Sequence, residues 1–343
     1  MHAALITGSG KVELREFPEP EPVANGAVVD IAFCGICGTD IHAFQTGAPY
    51  NPAICGHEWT GIVTAIGREV SRLSEGDRVV VAVPPACGHC AACRAGQASH
   101  CSTSFLVMLG RDPLAPPHGG FAPRIPVGAN RLLLADPTLD DETLAQVEPT
   151  TVAFHAVRRS GVRLGDTAVV QGAGPIGLTT LQWVRAAGAG QIIVVEPNER
   201  RRVLAAELGA TVTVTPAEAE AITWDRTRGL GADIVYECVG RPETVQSAVD
   251  LARRGGSVCL IGLADGDVPI TPRSWLIKEV SVNSALGYVH EDFDMVMGMM
   301  ADGRVRVSPL HTSTVGLDGL VDTLTDLGSG SSEQIKVLVD PNA

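Results

Sequence analysis

The stretch that decides the fold is Val169-Val170-Gln171-Gly172-Ala173-Gly174-Pro175-Ile176-Gly177. It reads as a short apolar strand that leads through a G-x-G-x-x-G turn into a helix. In such a turn the first glycine permits the tight bend, the second lets backbone N–H groups approach a pyrophosphate, and the third lets the helix pack on the strand. The N-terminus of the helix then favours the phosphate charge. The alternative is a glycine-rich turn of an α/β domain that binds no nucleotide.

Strands and helices alternate on both sides of this turn. We predict six strands, at residues 168–171, 191–196, 211–214, 233–237, 257–261 and 280–284, and helices between most of them, such as 176–187 and 200–208. Six strands in this rhythm are typical of a parallel, doubly wound sheet. The predicted fold class is therefore α/β with a six-stranded Rossmann sheet.

Glu196 ends the predicted strand that follows the turn and lies nineteen residues after Gly177. An acidic residue at this place accepts hydrogen bonds from the ribose hydroxyls of the adenosine and repels a 2′-phosphate. We therefore predict NAD rather than NADP as cofactor. The three arginines 200–202 follow closely, and they are either a solvated helix start or a group that reaches a 2′-phosphate.

Four of the nine cysteines crowd into one short stretch. They are Cys87, Cys90, Cys93 and Cys101. CxxC spacing brings two sulfurs to one ion, and four thiolates complete a tetrahedral zinc shell with no open position. The cluster predicts a structural zinc, and a redox role is the alternative. His89 and His100 lie inside this loop, and we expect both to be exposed.

Two other polar clusters lie at residues 35–42 and 56–61. A catalytic zinc needs about three protein ligands and one open position, and Cys37 and His57 are natural first ligands. Their separation in sequence means that the fold must bring them together. The alternative for Cys37 alone is a buried small apolar residue.

Length and charge narrow the possible functions. The 343 residues suggest about two domains, and the net charge of −13 argues against nucleic acid and anionic membranes as partners. No apolar run approaches a membrane span, and the first residues do not resemble a signal peptide, so we expect a cytoplasmic protein. The first 85 residues read as short strands, residues 84–126 as a loop-rich stretch, and residues 335–339 as a strand that could rejoin the first domain.

One segment carries a family resemblance. Gly56-His57-Glu58-x2-Gly61-x5-Gly67-x2-Val70 resembles the signature of the zinc-containing medium-chain alcohol dehydrogenases, and the cysteine loop and the nucleotide turn follow in the expected order. Gln146-Val147-Glu148-Pro149 resembles the sorbitol and butanediol dehydrogenase branch. The resemblance implies a mostly-β GroES-like catalytic domain (1–149), an NAD-binding domain (150–286) and a C-terminal segment (287–343) that returns to the first. It also implies a homo-oligomer, either a tetramer or a dimer.

The resemblance further implies roles for the residues around a catalytic zinc. Cys37, His57 and Glu148 would hold the metal, and Glu58 would lie just behind it and exchange with Glu148 or water. Asp40 would hydrogen-bond His57 and fix its ring. Thr39 would touch the substrate oxygen, and His42 would pass the substrate's proton to solvent.

The same resemblance extends the cofactor site beyond the glycine-rich turn. Its members would be Gly172, Gly174, Pro175, Ile176, Gly177, Glu196, Cys238, Val239, Gly240, Gly262 and Leu263. The last five would skirt the cofactor through backbone contacts. The substrate pocket would draw on Phe44, Trp59, Leu109, Phe121 and Tyr288.

The predicted function is that of an alcohol or polyol dehydrogenase acting on CH–OH donors. Zinc would act as Lewis acid while NAD accepts the hydride from a secondary alcohol, vicinal diol or polyol, or returns it to the ketone. Sorbitol dehydrogenases carry an arginine–tyrosine pair where this sequence reads Gly287-Tyr288, and the missing arginine weakens a sorbitol assignment. A cyclitol or aminocyclitol substrate is an alternative. A zinc-independent quinone or enoyl reductase and a non-catalytic nucleotide-binding protein are the other classes considered.

Overall fold

The computed structural model describes residues 1–48, 50–264 and 266–343, and the chain divides into two compact units. The first unit comprises Met1–Glu148, Val289–Ala301 and Leu310–Ala343. The second unit comprises Pro149–Tyr288 and Asp302–Pro309. Each unit has its own sheet and its own apolar core.

The strands and helices are numbered here in chain order over the described residues. The strands are β1 His2–Gly8, β2 Lys11–Glu16, β3 Gly26–Gly35, β4 Glu58–Ile66, β5 Arg78–Val81, β6 Arg124–Gly128, β7 Leu132–Leu134, β8 Thr167–Gln171, β9 Gln191–Val195, β10 Val212–Val214, β11 Ala232–Glu237, β12 Ala252–Leu260, β13 Ser281–Ser284, β14 His311–Val315 and β15 Lys336–Val339. The helices are α1 Gly38–Thr46, α2 Ala91–Arg94, α3 Ser102–Met108, α4 Asp141–Leu144, α5 Val147–Ser160, α6 Pro175–Ala186, α7 Glu199–Glu207, α8 Ala219–Arg226, α9 Pro242–Leu251, α10 Pro272–Lys278, α11 Asp292–Ala301 and α12 Leu320–Gly328.

The first unit is built on a sheet in the order β14-β15-β3-β4-β5-β7, with β6 paired to β3 as well. Its pairs are antiparallel except for β14 and β15, and β1 pairs with β2 in a separate ribbon. The terminal strand β15 lies against β3, with Leu338 opposite Gly35. The C-terminal strand therefore lies within the sheet of the first unit.

The core of the first unit lies where β3, β4 and β5 present Val, Ile and Trp side chains to one another. Phe44, Trp59 and Phe121 belong to this core and are at most 5% exposed. Their predicted place beside the substrate stays a prediction. Large apolar side chains gain most free energy by leaving water completely, and sequence alone does not distinguish a pocket wall from a core.

The second unit contains a six-stranded sheet in the order β10-β9-β8-β11-β12-β13, and every pair in it is parallel. The predicted six-stranded, doubly wound parallel sheet is confirmed. All five residues of β8 are buried, as expected for a central strand covered on both faces. The strand order reverses between β8 and β11, which is where sheets of this type bind ligands.

Short helices interrupt the loop-rich parts of the first unit. Helix α1 follows β3 directly, with Cys37 at its N-cap, and α2 and α3 lie in and after the cysteine loop. These helices place the polar clusters of the sequence on defined backbone. Among the described residues, no helix is both long enough and apolar enough to span a membrane.

Candidate functional site

The turn between β8 and α6 is shaped by two of its glycines. Gly172 has a φ of +91°, a backbone conformation that side chains disfavour. A Cβ on Gly177 would lie 1.9 Å from the carbonyl oxygen of Gly172, so α6 packs on the turn only because this residue has no side chain. Gly174 is the N-cap of α6, and Pro175 is its first residue. The helix N-terminus is thereby exposed to a phosphate.

Glu196 follows β9 and is only 5% exposed. Its carboxylate accepts hydrogen bonds from the backbone N–H of Ala173 at 2.7 Å and of Asn198 at 2.9 Å. Glu196 therefore ties the glycine-rich turn to the start of α7. The side chain of Arg202 donates to the carbonyl oxygens of Glu196 and Pro197, so this arginine is engaged at the helix start.

The two downstream segments of the expected cofactor site meet each other next to the turn. A Cβ on Gly172 would lie 3.0 Å from the Val239 side chain, and one on Gly240 would lie 2.8 Å from the backbone of Leu263. A Cβ on Gly262 would lie 2.2 Å from Gly240 N. The backbones of these segments can approach so closely because glycines face each other.

Glu237 is a residue of this region that the sequence reasoning missed. It is fully buried at the end of β11, and its Oε1 accepts from Val239 N at 2.8 Å, Gly240 N at 2.9 Å and the Thr244 hydroxyl at 2.8 Å. The amides of Val239 and Gly240 are thus directed at Glu237. Its position at a strand end, like that of Glu196, is the signal that could have identified it.

The first unit brings together Cys37, His57 and Glu58. One ligand atom from each lies within 4.8 Å of the other two. Cys37 comes from the N-cap of α1, and Glu58 begins β4. The separation of about twenty residues in sequence is closed by the antiparallel pairing of β3 with β4, in which Gly35 lies opposite Glu58.

The ring of His57 is oriented by a backbone group. Its Nδ1 donates to the carbonyl oxygen of Ile54 at 3.0 Å, which leaves Nε2 as the nitrogen available to a metal. The prediction that His57 donates a hydrogen bond to Asp40 is wrong, because the described structure has no such bond and the ring N–H is taken by Ile54. Asp40 is buried and instead accepts from Cys37 N at 2.9 Å, from Gly56 N at 3.1 Å and from the Tyr50 hydroxyl.

Asp40 therefore joins the two segments that carry the candidate ligands. Its Oδ2 bonds the backbone of Cys37, and its Oδ1 bonds the residue before His57. Burial raises the pKa of Asp40, although the nearby His57 and the hydrogen bond from Tyr50 oppose this effect. Tyr50 is a second residue that sequence reasoning did not find.

Glu58 is paired with a lysine from the far end of the chain. Lys336 Nζ lies 2.5 Å from Glu58 Oε2 and also donates to the carbonyl oxygen of Ile36 at 2.9 Å. Burial lowers the pKa of Lys336, but the negative charges of Glu58 and Cys37 outweigh this and raise it. No local motif marks Lys336, since it lies in an apolar terminal strand.

Glu148 lies in the first turn of α5 and is 8% exposed. It is close enough to act electrostatically on both His57 and Lys336. Within the described part of the chain, its carboxylate does not belong to the group of ligand atoms formed by Cys37, His57 and Glu58. Thr39 and His42 both lie on α1, and the Thr39 hydroxyl donates to Cys37 Sγ at 3.0 Å.

The charges of this cluster suit a divalent cation. Burial alone lowers the pKa of His57, but Cys37, Glu148 and Asp40 together raise it well above its ordinary value. The excess of negative charge around the ring is what a metal ion would neutralise. One thiolate, one imidazole and a carboxylate are also donors that zinc prefers in catalytic sites.

The four cysteines 87, 90, 93 and 101 form a second group, with all sulfurs within 4.8 Å of one another. Sulfurs bound at about 2.3 Å around a tetrahedral zinc are about 3.8 Å apart, so the donor set fits this ion. Backbone amides point at the sulfurs, with Cys87 N 3.3 Å from Cys101 Sγ and Cys90 N 3.3 Å from Cys87 Sγ. His89 and His100 are exposed, as predicted.

Amide hydrogen bonds favour the thiolate at Cys90 and Cys101, whereas burial and the neighbouring cysteines raise the pKa of Cys93 to about 12. The N–H groups of Cys93 and Ser102 lower the pKa of Cys90 to about 7. At Cys101, burial raises the pKa, but hydrogen bonds from Cys87 and Ser104 outweigh it and lower the value to about 5. Thiolates are the form that binds zinc.

Two domain models match this chain. Residues 24–137 match the alcohol dehydrogenase GroES-like domain, and residues 175–302 match the zinc-binding dehydrogenase domain. Together they span both described units and most of the chain.

The similarity to curated relatives extends over the full length. Sorbitol dehydrogenase of Bacillus subtilis (strain 168) is 29% identical, with 100% of this chain and 98% of the relative covered. (R,R)-butanediol dehydrogenase of the same organism is 30% identical, with 100% of both chains covered.

Solved structures of dehydrogenases also superpose on this chain. A protein of Sinorhizobium meliloti 1021 described as a zinc-binding dehydrogenase, bound to NADP, superposes with a TM-score of 0.84 at 31% identity over 99% of both chains. An alcohol dehydrogenase from E. coli CFT073 in complex with NADH superposes with a TM-score of 0.87 at 26% identity over 99% of both chains. With full-length relatives at this identity, the chain belongs to the zinc-dependent medium-chain alcohol dehydrogenase family, in the branch of the sorbitol and butanediol dehydrogenases, and is a nicotinamide-linked alcohol and polyol oxidoreductase.

Proposed function

We propose that this enzyme transfers a hydride between NAD(H) and a secondary alcohol, vicinal diol or polyol and the corresponding ketone. The observation that carries the proposal is the convergence of Cys37, His57 and Glu58 beside the hydroxyl of Thr39. When bound, zinc supplies Lewis acidity at the substrate oxygen, and the nicotinamide exchanges the hydride.

In the proposed centre, Cys37, His57 and Glu148 hold the metal, and Glu58 stands behind them. The thiolate and the Glu148 carboxylate carry the two negative charges that offset those of Zn²⁺. The electrostatic effect of Glu148 on His57 supports this role. We also propose a second, structural zinc on the four cysteines of the loop at 87–101, which gives two zincs per chain.

Helix α1 carries the proposed path for the substrate proton. The Thr39 hydroxyl, held at Cys37 Sγ, would accept a hydrogen bond from the substrate hydroxyl, and as it takes up the substrate's proton it would pass its own proton on toward His42. His42 lies three residues further along the same helix, so both side chains share one face. An imidazole can take up a proton at one ring nitrogen and release one from the other, which suits His42 to pass this proton to solvent.

We propose that residues 1–149 with the C-terminal segment 287–343 form the catalytic domain, and that residues 150–286 form the NAD-binding domain. Glu196 then selects NAD, because its buried carboxylate lies at the glycine-rich turn and repels a 2′-phosphate. Gly172, Gly174, Pro175, Ile176 and Gly177 would cradle the pyrophosphate. The segments 238–240 and 262–263 would border the rest of the cofactor.

The NAD preference is tested with Glu196→Gln. This variant keeps the shape of the side chain but removes the charge, so we expect KM for NAD to rise about tenfold and the preference over NADP to shrink by a similar factor, the equivalent of about 1.4 kcal/mol. Glu199→Gln is the matched control, because Glu199 is an exposed carboxylate three residues away. An unchanged NAD/NADP ratio in Glu196→Gln would contradict the assignment.

We further propose a cytoplasmic homo-oligomer, either a dimer or a tetramer. Strand β13 is the last strand on one side of its sheet, and Leu276, Ile277 and Leu286 near it are more than half exposed. None of the nine cysteines forms a disulfide in the described structure, which favours a reducing compartment. Sedimentation at micromolar concentration tests the assembly, and a monomer would contradict it.

Metal analysis combined with a substrate panel tests the function itself. The panel comprises secondary alcohols, vicinal diols, polyols, cyclitols and their ketones with NAD and NADP. We expect NAD-dependent oxidation that disappears on chelation of the metal and returns with Zn²⁺. Turnover of quinones or enoyl substrates by the metal-free protein would overturn the proposal.

A further inference from the structure

The ion pair between Glu58 and Lys336 bridges three strands of the first unit. Glu58 is the first residue of β4, Lys336 is the first residue of β15, and β3 runs between them. The two side chains are 2% and 3% exposed, and their charged atoms lie 2.5 Å apart. A buried pair of this kind must be held in place by its surroundings, because each charge loses its hydration.

Gly35 on β3 makes room for the pair. It lies opposite Glu58 on one side and opposite Leu338 of β15 on the other. A Cβ on Gly35 would lie 2.2 Å from Glu58 Oε2. The Glu58 carboxylate therefore occupies the space that a side chain at position 35 would fill. In this space it crosses β3 and reaches Lys336 on β15.

The pair also touches the segment that carries Cys37. Lys336 Nζ donates to the carbonyl oxygen of Ile36, the residue directly before this cysteine. The ammonium group thus holds Glu58 and the Cys37 backbone at the same point. A carboxylate already neutralised by a cation at 2.5 Å has less charge to offer a metal.

We infer that Lys336 is a positioning residue that keeps Glu58 out of the metal's ligand shell and leaves the third protein position to Glu148. This inference rests on the proposed function, since it presupposes a metal at Cys37 and His57. Lys336 cancels the charge of Glu58, so the local protein charge felt by the metal comes from Cys37, Glu148 and the buried Asp40. Because the pair is net neutral, removing either partner changes that charge by one unit, in opposite directions.

This geometry predicts opposite effects for the two single variants. Lys336→Met leaves the Glu58 carboxylate unpaired beside a dication, so Glu58 joins the ligand shell and the metal is held more tightly. Glu58→Gln leaves the Lys336 charge unpaired, so the metal is held less tightly. The double variant Glu58→Gln/Lys336→Met removes both charges and returns metal retention close to that of the unmodified enzyme.

The experiment measures metal loss and coordination in the full-length holoenzyme. Zinc release to a chelator is followed over time, and the visible spectrum of the Co²⁺-substituted protein reports the ligand shell. The Cys37→Ala variant defines the signal of the cysteine loop alone, which is subtracted. We expect release about tenfold slower in Lys336→Met and about tenfold faster in Glu58→Gln, in the range found for groups that contact metal ligands.

The spectra give an independent result. The Co²⁺ bands of Lys336→Met should shift, while those of Lys336→Arg, which keeps the charge, and of the double variant should match the unmodified enzyme. Faster release from Lys336→Met with an unshifted spectrum would overturn the inference. So would a double variant that behaves like Glu58→Gln, a comparison that stands even if Lys336→Met fails to fold.

Failure of the proposed function looks different. In that case the unmodified enzyme would itself show no cobalt band that depends on Cys37, and the inference would fall with it. A Cys37-dependent band that is the same in every charge variant would overturn only the role of Lys336.

Discussion

The two candidate metal centres of the first unit are built in contrasting ways. The four cysteines at 87–101 lie within fifteen residues, and their sulfurs converge through local turns and backbone amides. The cluster of Cys37, His57 and Glu58 is joined by strand pairing, and a buried lysine about 280 residues further along the chain completes it. One centre is set by sequence spacing, and the other by the sheet.

The two centres also differ in the residues that could bind the metal. Four thiolates fill a tetrahedral zinc shell, so the cysteine loop has no position for a substrate. The other cluster offers mixed donors, an adjacent hydroxyl on Thr39 and buried carboxylates, which suits an open position for chemistry. The contrast predicts that a substitution in the cluster with Cys37 lowers turnover, whereas a substitution in the cysteine loop lowers stability.

Replacement of Cys37 should have the largest effect. Cys37→Ala is expected to lower the zinc content from two to one per chain and kcat/KM by about 1000-fold, because the several kcal/mol contributed by a Lewis acid would be lost. Metal analysis and steady-state kinetics measure both. Cys259→Ala, at a buried cysteine of the second unit, is the control and should keep both zincs. Normal turnover in Cys37→Ala would contradict the assignment of Cys37 as a ligand of the catalytic metal.

Replacement of Cys90 tests whether the cysteine loop is a structural centre. Cys90→Ala should also cost one zinc, but its main effect should be a loss of about 3 to 5 kcal/mol of unfolding free energy, in the range of the large effects that follow removal of a metal. Activity at low temperature should fall only with the folded fraction. Ser99→Ala, an exposed site in the same loop, serves as control. If Cys90→Ala melts like the unmodified enzyme, the cysteine loop is not a structural centre.

Gly35→Ala should have the smallest of the three effects. Its Cβ would lie 2.2 Å from Glu58 Oε2, and such overpacking costs about 1 to 3 kcal/mol. Chemical denaturation measures the change. Gly38→Ala, three residues later, is the matched control, because its Cβ would meet no heavy atom within 4 Å outside its chain neighbours and its own helix backbone, and a surface change of this kind costs about 0.5 kcal/mol or less. Equal stability of the two variants would show that the Glu58 side chain can move away from the added Cβ without loss of stability.

The second unit shows how far sequence patterns reach. The turn after β8 and its helix were predictable because each constraint acts between neighbours, as between Gly172 and Gly177. The parallel sheet followed from the rhythm of strands and helices. Glu237 was missed, although it ends a strand as Glu196 does, because it belongs to no short motif.

The first unit shows where sequence patterns stop. The expected bond from Asp40 to His57 is replaced by bonds to Cys37, Gly56 and Tyr50, since the backbone carbonyl of Ile54 already takes the ring N–H. Trp59 and Phe121, expected beside the substrate, are packed in the apolar core of the first unit. The residue type of an apolar side chain does not tell whether it will pack in the core or line a pocket.

The sequence by itself determined the glycine-rich turn, the doubly wound sheet and the four-cysteine loop, because spacing and residue chemistry act locally, and it marked Cys37 and His57 as candidate ligands. Only the tertiary structure decided the partners of Asp40 and the pairing of Glu58 with Lys336. That pairing depends on which strands become neighbours, and β15 reaches β3 only when the end of the chain returns to the first sheet. Contacts between residues so far apart are set by the packing of the whole unit, which no short stretch of sequence encodes.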